Sequence, residues 1–159
     1  MRTLTRGGFT LVELLVVIAV TVIIVTIGSL SLFGSRDQSV LNKGTEAAVA
    51  VLREAENNST AEVDGYEWGV VFVNPVSGTG YYTLWENAST TAVTTTYLDP
   101  LLSFTAPASG GSLNVCFAMS TGLPIDCVTG AAASSAVSLK ASSGATTTIT
   151  VNSTGSISY

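Results

Sequence analysis

Twenty consecutive residues, Leu14 to Phe33, carry no charge. As an α-helix such a run spans about 30 Å, the thickness of the hydrocarbon core of a bilayer. Arg2 and Arg6 precede it, while Arg36 and Lys43 follow it, so the charge asymmetry favours a cytoplasmic N-terminus only modestly. Directly before the run stands Glu13, the one charged residue between Arg6 and Arg36. A carboxylate at bilayer depth costs about 2.5–3.5 kcal/mol or more. An account of this segment has to say what offsets that cost.

Three readings compete. A secretory signal peptide is disfavoured, because the run exceeds a normal h-region, no A-x-A site closes it, and Glu13 is out of place. An ordinary single-pass anchor explains the length but neither Glu13 nor the Gly7-Gly8 pair before Phe9. The third reading is a cleaved prepilin leader. The stretch "GGFTLVELLVVIAV" resembles the N-terminal signature of type IV pilins and type II secretion pseudopilins. The resemblance implies a cut between Gly8 and Phe9 by the prepilin peptidase, on the cytoplasmic side, and N-methylation of Phe9. It also implies a role for Glu13 in assembly and register. Cleavage creates a cationic amine at Phe9, and in a filament of staggered helices Glu13 of one subunit can pair with the Phe9 amine of a neighbour. Two buried charges that satisfy one another cost far less than either alone.

Helical patterning continues past the apolar run. Val40, Gly44, Ala48, Val51 and Ala55 recur at helical spacing, and no proline interrupts Phe9 to Asn58. One helix of about 75 Å is expected, half in the membrane and half packed on a domain. Gly28 and Gly34 are its candidate bends. Many type IV pilins carry a bending proline here, and this chain has none. "ENNST" should end the helix, being poor in helix formers.

From Tyr66 the period changes to two. Tyr66, Trp68, Val70 and Phe72 share one strand face, "NPVSGTG" reads as a turn, and "YYTLWE" as the returning strand, so Tyr66–Glu86 is an expected hairpin. "LLSF", "LNVCFAM", "AVSLKA", "TTITV" and "SISY" are further strand candidates, giving six to eight short strands in one or two antiparallel sheets. The expected class is α+β: a long N-terminal helix, transmembrane in its first half, packed on a C-terminal β-sheet or β-sandwich domain. The expected divisions are a leader at 1–8, a transmembrane or filament-core segment at 9–33, an amphipathic continuation at 34–58, and a β-rich domain at 59–159. "VLREAENN", "GYEWGVVF", "YYTLWE", "GLPIDC" and "ITVNSTGSISY" resemble, in order and spacing, the GspH/FimT-like minor subunits of the same family.

Composition narrows the chemistry. The formal charge is −5, and loss of Met1–Gly8 would remove two arginines and leave −7. Such a balance argues against nucleic acid as a partner, since phosphate binding needs a cationic surface. With no histidine there is no Ser-His-Asp triad, Cys-His pair or histidine metal cluster. Neither a Walker loop nor an S-x-x-K pattern is present. Cys116 and Cys127 make a poor zinc site, and in an exported domain they read as one disulfide. Glu62, Asp64 and Glu67 around Gly65 offer oxygen ligands of the calcium type but lack the full EF-hand pattern, and a solvated loop is the better reading. Asp99 and Asp126 read as turn residues, and Trp68, Trp85 and Tyr82 as sheet-packing residues rather than a sugar-binding face.

These readings converge on a non-enzymatic structural subunit with no cofactor. It would be a minor component of a type II secretion pseudopilus or type IV pilus. The partners that the resemblance implies are the prepilin peptidase, other pilin or pseudopilin subunits, the inner-membrane assembly platform and the membrane itself. The implied location is the bacterial inner membrane, with a periplasmic or extracellular C-terminal domain, and then the filament. The alternative is a pilus-displayed binding module, such as an adhesin or DNA-uptake subunit.

Overall fold

The computed structural model describes residues 10–86 and 91–159, with the backbone alone for 27–35. Helix α1 runs Leu11–Thr60, and nine strands follow among the described residues. They are β1 (Trp68–Asn74), β2 (Tyr81–Glu86), β3 (Thr91–Tyr97), β4 (Leu102–Ala106), β5 (Gly111–Phe117), β6 (Pro124–Ile125), β7 (Ser135–Ala141), β8 (Thr146–Val151) and β9 (Ile157–Ser158). The class is α+β, as the patterning indicates, and pilin-like, as the resemblance implies. The expected long helix is α1, and the chain divides within it into two compact units, Met1–Arg36 and Asp37–Tyr159. The physical difference between its parts is burial: the described side chains up to Thr26 are exposed, whereas from Leu41 one face is buried.

In the second unit the strands form two antiparallel sheets, ordered β3-β2-β1-β5-β6 and β4-β7-β8-β9. The expected Tyr66–Glu86 hairpin is β1–β2, with Val70 opposite Leu84 and Phe72 opposite Tyr82. Alternation decides which side chains go inward. Trp68, Val70 and Phe72 of β1, Tyr82 and Leu84 of β2, and Val115 and Phe117 of β5 are buried on one face. The second sheet contributes Leu102, Phe104, Val137, Leu139, Ile149 and Val151. Its other face is polar, where the Ser138 and Thr148 hydroxyls bond at 2.8 Å. Phe72 joins the two sheets, meeting Phe104 edge-on at 5.9 Å and Tyr82 at 5.8 Å. Asn74 adds a polar tie, its Nδ2 donating to the Phe104 and Pro107 carbonyls.

α1 closes this core with Leu41, Ala48, Val49, Leu52 and Ala55, all in the same cluster. The buried stripe is turned by about one residue from the expected one, since Val40 and Val51 are only partly buried. Thr45 lies within the stripe because its hydroxyl donates to the Leu41 carbonyl at 2.8 Å, so no polar group is left unpaired. Gly44 lets Leu102 approach; a Cβ there would fall on Leu102 Cδ1.

The end of α1 is fixed by polar contacts. Ser59 is fully buried, and its Oγ accepts from Trp68 N–H at 2.9 Å and donates to the Phe117 carbonyl at 3.0 Å. One hydroxyl therefore ties the helix to β1 and β5. Glu62 then takes a left-handed conformation, φ 52°, and the 3-10 turn Val63–Gly65 leads into β1. Ser120, also left-handed, donates its hydroxyl to the Glu62 carboxylate and its N–H to the Ser59 carbonyl.

Candidate functional site

Glu13 opens the site. Thr10 precedes the first helical residue, and its Oγ accepts from the Glu13 N–H at 3.2 Å. Thr10-Leu11-Val12-Glu13 thus has the spacing of a capping box, with threonine at the N-cap and glutamate at the third helical position. A carboxylate in the first turn also faces the positive end of the helix dipole. The T-x-x-E spacing is visible in the sequence, and it supplies a local stabilisation of Glu13 in addition to any pairing between subunits. Gly8 and Phe9, the expected cleavage and methylation positions, lie outside the described residues.

Beyond Glu13 the helix is apolar on every side. Leu11, Val12, Leu14, Leu15, Val16, Val17, Ile18, Val20, Val22, Ile23, Ile24 and Val25 are each between 49% and 79% exposed. A helix that is hydrophobic all round requires an apolar surrounding. The two threonines among these residues are adapted to the same surrounding. Thr21 donates to the Val17 carbonyl at 2.7 Å and Thr26 to the Val22 carbonyl at 2.8 Å, so their hydroxyls are satisfied within the helix. Among the described residues, no helix is long and apolar enough to cross a membrane. The run that suggested a span, Leu14–Phe33, continues into the stretch described by backbone alone.

The other residues singled out in the sequence have structural roles. Cys116 and Cys127 are joined by a disulfide that ties β5 to the loop after β6. Among the described residues no group of three or more acidic, cysteine or histidine side chains is placed to hold a metal. Glu62, Asp64 and Glu67, considered above as oxygen ligands, are not brought together as such a group. Glu62 turns to Ser120, and Asp64 is held at φ 57° in the 3-10 turn. Asp126 Oδ1 accepts from the Val128 and Thr129 N–H groups and the Thr129 hydroxyl, and these bonds hold its carboxyl below the ordinary range. Asp99 accepts from Leu101 N–H in a turn of the same kind.

Trp68, Tyr82 and Trp85 are all buried, which removes the sugar-face reading. Burial raises the Tyr82 hydroxyl above its ordinary range, and a hydrogen bond with Thr96 partly offsets this. Trp85 lies over Gly69, where a Cβ would meet the indole ring and the Val115 carbonyl. Its Nε1 is buried with no hydrogen-bond partner among the described residues.

Residues 4–29 match the family described as the Prokaryotic N-terminal methylation motif. No curated protein and no solved structure matches the chain. The matched segment covers the Gly8–Phe9 junction, Glu13 and the exposed apolar helix together. That N-terminal motif supports a type IV pilin-like reading of the segment it covers.

Proposed function

We propose that the chain is a structural minor subunit of a type II secretion pseudopilus or type IV pilus, most like the GspH/FimT type. Its leader, residues 1–8, is removed between Gly8 and Phe9, and Phe9 is N-methylated by the prepilin peptidase. The mature protein waits in the inner membrane as a single-pass protein with its β domain outside the cytoplasm. It then enters the filament through its N-terminal helix, in contact with other subunits and the assembly platform. Its work is assembly, not catalysis.

The observation that carries this reading is the exposed, all-round apolar helix Leu11–Thr26, interrupted only by Glu13, within the methylation motif. The core of the second unit is built from residues at Val40 and beyond, so these apolar side chains are not needed to complete it. A surface of that kind is explained by lipid in the precursor and by neighbouring helices in the filament. Intact mass of the protein extracted from membranes tests the reading. It should show a chain that begins at Phe9 and carries one added methyl group. Recovery of the full Met1 form from cells with an active peptidase would overturn it.

A further inference from the structure

β3 is the outer strand of the five-stranded sheet, and among the described residues no strand pairs with its far side. Its sequence, TAVTTTY, has neither charge nor proline, and every residue except Thr96 is exposed. Natural proteins guard such edges with lysine, proline or inward-pointing charge, and β3 has none of these; a bulge opposite Leu84/Trp85 is its one irregularity.

The register identifies the free backbone groups. Leu98 N–H donates to the Gly80 carbonyl at 2.9 Å, so in the antiparallel ladder Thr96 and Thr94 also bond inward, to Tyr82 and Leu84. Thr95 and Tyr97 are the intervening, non-hydrogen-bonded pairs, where side chains approach more closely. The Thr83–Thr95 hydroxyl contact at 3.0 Å and the Tyr81–Tyr97 ring contact at 5.5 Å agree with this. The N–H and C=O groups of Thr95 and Tyr97 therefore point outward from the sheet.

A cavity of about 300 Å³ opens at the same end of the strand, its wall apolar at Val40, Ala47, Leu98 and Leu102 and polar at Thr96, Lys43 and Asp99, the last two of opposite charge. Thr96 shares this side of the sheet. A residue paired opposite Thr96 on an added strand would share its face and lie at the cavity.

We infer that β3 is a docking edge for an uncharged, extended segment of a different polypeptide, which adds as a sixth strand and places an apolar side chain in the cavity beside Thr96. Added strands gain affinity from main-chain bonds and specificity from pockets that receive alternate side chains. A second copy of this chain fits poorly. Antiparallel β3–β3 pairing would present Thr94 and Thr96 on the cavity side, and these do not fill an apolar space. Residues 37–159 carry ten acidic and three basic side chains, so two such domains also repel one another. The inference is independent of how the chain is anchored, and its failure would leave the assembly reading standing.

The test uses the full chain in detergent micelles and a blocked heptapeptide alternating threonine with leucine. A control peptide carries N-methyl groups on alternate amides. Hydrogen exchange at single-residue resolution should show the Thr95 and Tyr97 amides slowed at least about tenfold by the first peptide and unchanged by the N-methylated one. Thr95→Pro should abolish the effect while leaving β2–β3 pairing intact, since that N–H faces away from β2. Should Thr95→Pro lower the melting temperature, Ala47→Trp, which fills the cavity from an exposed helix position, gives the second reading and should weaken the peptide effect. Absence of protection at saturating peptide, or equal protection by the N-methylated peptide, would overturn the inference. Concentration-dependent protection of the same amides in the chain alone would overturn it in favour of a second copy.

Discussion

At the scale of single residues, Glu13 has one support in the structure, the first-turn position behind Thr10, and a second in the proposed function, the counter-charge of a neighbour's Phe9 amine in a filament. Glu13→Gln separates them. Glutamine also serves at the third position of a capping box, so the helix start, membrane insertion and leader cleavage should persist. Filament incorporation should fall steeply, because a buried pair broken on one side costs about 3–5 kcal/mol. Incorporation in sheared filaments, measured beside cleavage in the same cells, checks this; entry equal to the parent's would refute the pairing account. Two other carboxyls have opposite pH signatures. Asp126 is held low by Thr129 and Val128, so its contribution is present above the unfolded carboxyl range and is lost as pH falls through its lowered folded value. Glu56 is raised, chiefly by burial and against the opposing charge of Arg53, so its contribution is present in acid and is lost as pH rises through its folded value. The protection factors of the Val128 and Thr129 amides, corrected for the intrinsic exchange rate at each pH, should fall in acid in the parent and be low at all pH values in Asp126→Ala. Glu56→Gln should instead raise the denaturant midpoint at neutral pH and leave it unchanged in acid.

At the scale of elements, the readable strands were those with an apolar inner face. β4, β7 and β8 alternate buried and open positions, while β1, β2 and β5 hold runs of buried residues, and their apolar period-two sequence patterning finds them all. β3 escaped because TAVTTTY lies at a sheet edge with nothing buried, so no alternation marks it; its threonines are the sole cue. β6, two residues paired with Cys116 and Phe117, is too short to leave a periodic trace. The helical stripe was legible to within one residue, since Gly44 is half-buried by fit to Leu102 and Thr45 is buried with a back-bond rather than by hydrophobicity. The site divides in the same way. The Gly8–Phe9 junction and Glu13 are matters of sequence motif, whereas the role of Ser59 depends on β1 and β5 converging on one hydroxyl. Ser59→Ala should lower stability by about 1–3 kcal/mol, because the Trp68 N–H and Phe117 carbonyl lose a buried partner. Equilibrium urea unfolding at constant m would measure it, and a change below the error of extrapolation would show that water takes over both bonds.

At the scale of the whole molecule, the chain divides at Arg36 into two compact units, the first carrying the proposed assembly surface and the second the buried core. The buried cluster draws on α1 only from Leu41 onward, together with both sheets, and Val40 packs against it. The exposed apolar residues Leu11 to Val25 contribute nothing to that cluster. A chain beginning at Asp37 therefore keeps every residue of the cluster found among the described residues, and the Cys116–Cys127 bond with it. It should fold in water without detergent and melt within about 4 °C of the full chain, the shift expected for a change of 1 kcal/mol in a domain of this size. Its disulfide should form as in the parent when the domain is exported. It should nevertheless be absent from filaments, because it lacks the apolar helix that neighbouring subunits would bury. Thermal unfolding by circular dichroism and fractionation of sheared filaments test the two halves separately. A truncated chain that fails to fold would show that the first unit stabilises the domain. One that folds and still enters filaments would place the assembly contacts on the β domain and remove the helix from its proposed role.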